Sequence, residues 1–169
     1  MRTIKPPAPS FPKNRITSKK VMQHPRSVLA VVNLLKPGDS IGARYKNHLD
    51  AVKLIEDGLP FSSIARFQNT TGLTLERIKS IAHISEGSYS RRRANGRLSP
   101  EESERLLRVS RIFESAASLH DGDQRAAIQW LETPIPALSD QRPLDLARTD
   151  PGAREVEDLI GRIAHGVVS

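Results

Sequence analysis

Arginine side chains are concentrated in one stretch of the chain, directly after a run of short hydroxyl side chains. The residues concerned are Ser85, Ser88, Ser90, Arg91, Arg92, Arg93 and Arg97. Arginine donates hydrogen bonds to phosphate oxygens and to guanine, and short hydroxyl groups allow a close approach to base edges. A helix turns by about 100° per residue, so three consecutive arginines cannot all face one groove. We therefore predict a DNA contact in which at most one arginine reads a base and the others bind phosphates.

The sequence contains no comparable group of residues that would form a catalytic site or a metal site. The five histidines are widely scattered, no Cys is present, and no pair has the spacing of metal ligands. Glu101, Glu102 and Glu104 belong to the first turn of a predicted helix, where carboxylates favour the helix dipole. Gly38 and Gly42 lack the lysine and the preceding strand of a phosphate loop. We expect no enzyme, no metal site and no cofactor.

The arginines must be carried by a helix, and the surrounding sequence predicts a helix-turn-helix. Thr74 is a candidate N-cap for a first helix over 75–82, and Ser85 for a second helix over 86–95 that ends at Gly96. Two short helices joined by a tight turn, the second rich in arginine, are typical of DNA-reading motifs. An ordinary helical hairpin with a solvated arginine face remains the alternative.

Two positions depart from the common consensus of this motif. Lys79 stands where the consensus has a small residue for close helix packing, and His83 stands where it has the glycine of the turn. A histidine can occupy positive φ at some cost. The departures predict a slightly opened motif with weaker DNA binding.

Helical periodicity continues on both sides of the motif, and no alternating β-branched run is present, so we predict an all-α fold. Ser99, Pro100 and Glu102 form the strongest local signal, an N-cap with a capping box. Further helices are predicted around 49–55, 64–69, 100–119, 123–131 and 151–165. The longest apolar run, 28–35, is far shorter than the roughly 20 residues of a membrane span. We expect a soluble cytoplasmic protein.

The net charge of +7 is unevenly distributed along the chain. Residues 1–47 carry +9 and six of the twelve prolines, which predicts a largely disordered basic arm. Residues 48–98, the helix-turn-helix region, carry +3, and residues 99–169 carry −5. The basic part favours nucleic acid, and the acidic third suggests a second kind of partner.

A series of motifs extends from residue 58 to the last residues. It comprises Gly58-Leu59-Pro60, the helix-turn-helix, the stretch 97–108, Ala127-x-x-Trp130-Leu131-x-x-Pro134, Leu138, Pro143-Leu144-Asp145-Leu146, Thr149, Gly152, Val156, Leu159, Ile163 and Gly166. On these residues the chain resembles the Xre/MbcA/ParS antitoxins of bacterial toxin–antitoxin systems. It departs from their pattern where Ile135-Pro136 replaces an Asn-containing turn and Ser139-Asp140 replaces a glycine pair.

The resemblance implies an Xre/Cro-like helix-turn-helix followed by a small helical toxin-binding domain over 99–169. It implies a RES-domain toxin as partner, one that consumes NAD or transfers ADP-ribose from it, and whose active site the C-terminal end occludes. The implied toxin contacts are Arg162, His165, Gly166, Val167, Val168 and Ser169. It also implies binding to operator DNA and repression of its own operon, as a homodimer or within a larger toxin–antitoxin assembly, away from membranes. A helix-turn-helix regulator or nucleoid factor without a toxin is the alternative function.

Overall fold

The protein is described here by a computed structural model that covers residues 34–166. Residues 1–33, and with them most of the predicted arm, lie outside the described residues, as do the implied toxin contacts Val167, Val168 and Ser169. Between residues 34 and 166 the chain is all-helical and contains no strand, which confirms the predicted fold class. The helices are α1 His48–Glu56, α2 Ser62–Thr71, α3 Leu75–Ala82, α4 Glu86–Asn95, α5 Pro100–Leu119, α6 Gln124–Leu131, α7 Pro143–Leu146 and α8 Asp150–Ala164. None of them is long and apolar enough to cross a membrane.

The helix boundaries follow local capping chemistry. Ser99 Oγ accepts the backbone N–H of Glu102 at 3.2 Å, and the Glu102 carboxylate accepts the N–H of Ser99 at 2.8 Å, so the predicted capping box is confirmed. Thr74 caps α3 by accepting the N–H of Arg77. These caps satisfy backbone donors that the first turn of a helix leaves unpaired.

Helix α5 lies at the centre of the core and packs against α1, α3, α6 and α8. Leu106, Val109 and Ile112 on this helix are fully buried. Phe113, also fully buried, meets Phe67 of α2 edge to face, with ring centroids 5.9 Å apart. The core is therefore continuous from the helix-turn-helix to the C-terminal helices.

The segment ahead of α1 is folded, in contrast to the predicted arm that reached residue 47. Residues 37–42 form turns, Ile41 is buried, and Ser40 is completely inaccessible. The buried carboxylate of Glu114 on α5 holds this segment by accepting the backbone N–H groups of Gly38 and Ser40, each at 3.0 Å, and the hydroxyl of Ser40. Composition missed this contact because it depends on one carboxylate more than 70 residues away along the chain.

The loop between α6 and α7 shows what the departure at Ser139-Asp140 entails. Both residues adopt left-handed conformations, with φ of 55° and 57°. Glycine occupies this region without steric cost, whereas serine and aspartate enter it at some cost. The loop is nevertheless closed, because Ile135 and Gln141 pair across it and the N–H of Asp140 donates to the Ile135 carbonyl at 3.0 Å.

The predicted Gly58-Leu59-Pro60 signal marks a close approach of two backbones. Gly58 has φ of +75°, and a Cβ built there would lie 2.3 Å from the carbonyl oxygen of Leu98. The N–H of Leu98 donates to the carbonyl of Leu59 at 2.9 Å. Glycine is required here because the segment that follows α1 lies directly against the segment that precedes α5.

Arg77 of α3 forms a polar junction with the C-terminal helices. Its Nε lies 2.9 Å from Glu132 Oε1, at the end of α6, and its Nη1 lies 2.7 Å from Asp145 Oδ1 in α7. Its side chain is 21% exposed, against 38% for each carboxylate. The guanidinium of Arg77 is largely removed from water. Truncation of Arg77 would therefore leave the carboxylates of Glu132 and Asp145 without this partner at the same time.

We expect Arg77→Met to lower the free energy of unfolding by about 1–3 kcal/mol, below the range for fully buried pairs because both carboxylates stay partly solvated. Urea unfolding followed by circular dichroism measures the change. Arg154→Ala is the matched control, since Arg154 pairs with Asp150 on the surface of α8 and should shift stability by less than about 0.5 kcal/mol. Equal effects of the two substitutions would contradict a structural role for the junction.

Candidate DNA- and toxin-binding surfaces

Helix α4 begins at a serine cap that uses two of the predicted DNA contacts. Ser85 Oγ accepts the backbone N–H of Ser88 at 3.2 Å and lies 3.1 Å from the Ser88 hydroxyl. Ser90, further along the helix, is exposed. The structure therefore gives Ser85 and Ser88 a local task at the start of the helix, and contact of the three serines with DNA stays a prediction.

Two of the four predicted arginines attach α4 to the rest of the protein. Arg92 Nε lies 2.8 Å from Glu102 Oε2, the same carboxylate that caps α5. Arg97 Nη1 donates to the backbone carbonyls of Gly58 at 2.7 Å and Asp57 at 3.1 Å. Arg92 therefore ties α4 to α5, and Arg97, just beyond the end of α4, ties the following segment to the backbone after α1.

The remaining two arginines, Arg91 and Arg93, are exposed, and their side chains make no ion pair or hydrogen bond with any other residue between 34 and 166. The partly buried side of α4 carries Ser88, Tyr89 and Arg92. At about 100° per residue, the middle of the opposite side falls on the small, exposed residues Gly87, Ser90 and Ala94. Arg91 and Arg93 then flank this line on opposite sides. A helix of this shape can enter a groove with small residues towards the floor and an arginine towards each wall.

Lys79 fills the position where a small residue was expected. Its side chain is only 7% exposed, and its ammonium group pairs with Glu76 of α3 at 2.7 Å and with Glu86, the first residue of α4. The ammonium also lies 5.5 Å from the centre of the Tyr89 ring. Hydrogen bonds to Glu76 and then Glu86 raise the pKa of Lys79 above its ordinary value, so it remains charged.

The turn between α3 and α4 is closed in spite of both departures, in contrast to the opened motif expected from the sequence. His83 adopts the left-handed conformation, with φ of 54°, and ends α3 as a glycine would. Ile81 and Ile84, on either side of the turn, are buried. The lysine is accommodated because its stem packs between the helices while its charge reaches two carboxylates. The expected weakening of DNA binding stays a prediction.

At the other end of the protein, α8 offers an exposed C-terminal end. Val156, Leu159 and Ile160 are buried against the core, which fixes the helix in place. Arg162, in the last turn, is exposed, as are His165 and Gly166 beyond it. Gly166 has φ of +69°, a conformation that turns the chain away from the helix direction. Three of the six implied toxin contacts therefore share one surface at the end of α8.

The ion pair of Lys79 with Glu86 is a feature of the candidate DNA-binding surface that the sequence did not reveal. Glu76 lies three residues before Lys79, and that spacing is a visible signal for a pair on one helix. Glu86 is seven residues later and across the turn, so only the closed turn brings it to the ammonium.

Within the described residues, no three His, Cys, Asp or Glu side chains are grouped to hold a metal ion.

Comparisons with known proteins agree with both halves of this arrangement. Residues 50–111 match the family model of the antitoxin Xre-like helix-turn-helix domain, and residues 115–166 match that of the antitoxin Xre/MbcA/ParS C-terminal toxin-binding domain. The two ranges meet within α5.

Two proteins called antitoxin Xre are similar over long stretches. That of Photorhabdus laumondii subsp. laumondii is 38% identical over 123 residues, which cover 72% of this chain and 82% of that protein. That of Yersinia enterocolitica is 48% identical over 87 residues, which cover 51% of this chain and 59% of that protein. With a helix-turn-helix joined through α5 to a toxin-binding domain, the chain belongs to the Xre/MbcA/ParS family of antitoxins.

Proposed function

We propose that this antitoxin neutralises a RES-domain toxin that consumes NAD or transfers ADP-ribose, by placing its last residues at the mouth of the toxin's active site. The observation that carries the proposal is the end of α8, where exposed Arg162, His165 and Gly166 follow a helix anchored in the core. A rigid base lowers the entropy cost of inserting the residues that follow it. The antitoxin acts here as a binding protein and not as an enzyme.

The charge of the C-terminal part supports such a partner. Residues 99–169 carry −5, and a pocket that receives the phosphates of NAD is built to attract negative charge. Charge complementarity of this kind speeds association and orients the partners. The choice of a RES-domain toxin follows from the resemblance to the family.

We also propose that α4 binds the operator of the antitoxin's own operon, in the cytoplasm and as a homodimer or within a larger toxin–antitoxin assembly. The exposed face of α4, with small residues between Arg91 and Arg93, supports this function. A dimer would present two such helices to two half-sites about one helical turn of DNA apart. Repression of the operon would then depend on both copies.

Deletion of residues 167–169 tests the occlusion. We expect that co-expression of the truncated antitoxin with the RES-domain toxin encoded beside it restores toxicity, while the two proteins still purify together. The physical reason is that the body of the toxin-binding domain, including α6 and α8, remains intact. Growth of the host and co-purification on a tagged toxin are the two measurements.

Arg154→Ala serves as the control, because Arg154 is an exposed residue of α8 that lies about 18 Å from Gly166 at the rise of a helix. It should protect fully. If the truncated antitoxin also protects fully, occlusion by the last residues is refuted. If the full-length chain forms no complex with the toxin, the choice of partner is refuted as well.

A further inference from the structure

Glu86 is a carboxylate at the start of the helix that is proposed to bind DNA. It is the first residue of α4, and its side chain is 75% exposed. The N-terminal residues of such a helix reach base edges in the major groove. A free carboxylate there would be repelled by the phosphates on both walls. Glu86 is not free, because Lys79 pairs with it from below.

Lys79 both neutralises and orients this carboxylate. The lysine is almost completely buried, and its ammonium is held by Glu76 and lies over the ring of Tyr89. It therefore has little freedom to move, and its hydrogen bond goes to Oε1 of Glu86. The other oxygen of Glu86, Oε2, accepts no hydrogen bond from any residue between 34 and 166, and the side chain is 75% exposed, so this oxygen is available as an acceptor.

A fixed acceptor at a base edge discriminates between bases. Cytosine offers its N4 amino group as a donor in the major groove, and no acceptor nitrogen lies beside it. Adenine also has an amino donor, but its N7 is an acceptor and repels a carboxylate, while guanine presents only acceptors. Thymine presents an acceptor and a methyl group.

We propose that Glu86 reads a cytosine in the major groove through its free carboxylate oxygen, with Lys79 as the positioning residue that holds it there. The inference rests on the proposed binding of α4 to DNA and adds to it a residue that determines specificity. It also gives Lys79, which stands where the consensus has a small residue, a role in DNA recognition.

The test compares Glu86→Gln with Glu76→Gln in the full-length chain. Both substitutions remove one carboxylate from Lys79, but only Glu86 lies on α4. Each variant and the wild type are used to select duplexes from a library with a randomised 20-base-pair segment, and selected and substituted duplexes are then measured by fluorescence anisotropy. Circular dichroism verifies that all three chains fold.

We expect the wild type and Glu76→Gln to prefer cytosine at one position of each half-site by roughly fivefold over other bases. Glu86→Gln should lose this preference and favour adenine there, because a glutamine amide pairs with the N6 and N7 of adenine. An unchanged cytosine preference in Glu86→Gln would overturn the inference. So would an equal loss of affinity for all sequences in both variants, since this is the result of a purely structural role. A wild type that selects no sequence would refute the DNA-reading function and the inference with it.

Lys79→Met gives an independent readout of positioning. Methionine keeps most of the buried stem but removes the ammonium, which leaves the charge of Glu86 uncompensated near the phosphates. We expect lower affinity for all duplexes together with a weaker cytosine preference. The double variant Lys79→Met, Glu86→Gln should recover affinity but not the preference. A cytosine preference in Lys79→Met equal to that of the wild type would show that Lys79 does not position Glu86.

Discussion

Replacing Arg91 and Arg93 together with alanine should lower the affinity for operator DNA by about tenfold or more near 0.15 M salt. The slope of log affinity against log salt should become shallower by about two. The reason is that binding releases about one counterion for each phosphate contact, and the double variant lacks two such contacts. Both side chains are exposed on α4, on opposite sides of its small-residue line, where the two walls of a groove would lie. Alanine is a good helix former, so the helix itself should persist.

Fluorescence anisotropy with a labelled duplex from the region upstream of the gene, at several salt concentrations, measures both quantities. Arg92→Ala is the matched control on the same helix, since Arg92 pairs with Glu102 of α5. Its loss should lower the stability of the protein and leave the salt slope nearly unchanged. A salt slope that falls as much in Arg92→Ala as in the double variant would show that Arg92, and not only its neighbours, reaches the phosphates.

The contrast between these arginines shows where sequence reasoning stops. The sequence placed Arg91, Arg92 and Arg93 on one helix correctly, because Ser85 and Gly96 mark its ends. It could not assign the three to different tasks, since that depends on which side of α4 meets α5. Only the tertiary packing places the carboxylate of Glu102 beside Arg92.

Local signals were sufficient wherever the cause of a structure is local. The capping box at Ser99 and Glu102 and the ends of α4 at Ser85 and Gly96 follow from neighbouring residues alone. The short helix α7 was missed because four residues show no periodicity. The link from Arg77 to Glu132 was also invisible, because it joins residues that are 55 positions apart.

Of the long-range contacts that the sequence did not reveal, we expect those of Glu114 to contribute most to stability. Glu114→Ala should lower the free energy of unfolding by about 3 kcal/mol. The carboxylate accepts the N–H groups of Gly38 and Ser40 and the hydroxyl of Ser40, all of them buried. Alanine would leave these donors without an acceptor unless the segment detaches, and detachment would expose Ile41. Either outcome is costly. Urea unfolding measures the loss, and faster proteolysis within residues 34–47 would indicate detachment.

The same carboxylate should make stability depend on pH. Burial raises the pKa of Glu114 above its ordinary value, although the hydrogen bonds from Ser40 and Gly38 oppose this by favouring the ionised form. The folded state then binds a proton more tightly than the unfolded state. Its contribution to stability is complete below the ordinary pKa of a glutamate and is lost as the pH rises through the raised value. We expect Glu114→Gln, which cannot ionise, to lack this decline.

Ser40→Ala separates the two influences on this titration. It removes the hydroxyl donor but keeps both backbone N–H groups, so the ionised carboxylate loses one stabilising bond. The pKa of Glu114 should rise further, and the decline in stability should begin at the same pH as in the wild type but continue to a higher pH. Unfolding free energies measured between about pH 4 and 8 on the three chains decide the matter. Parallel profiles for the wild type and Glu114→Gln would mean that Glu114 does not titrate in this range, and the decline would then have to be assigned to other groups.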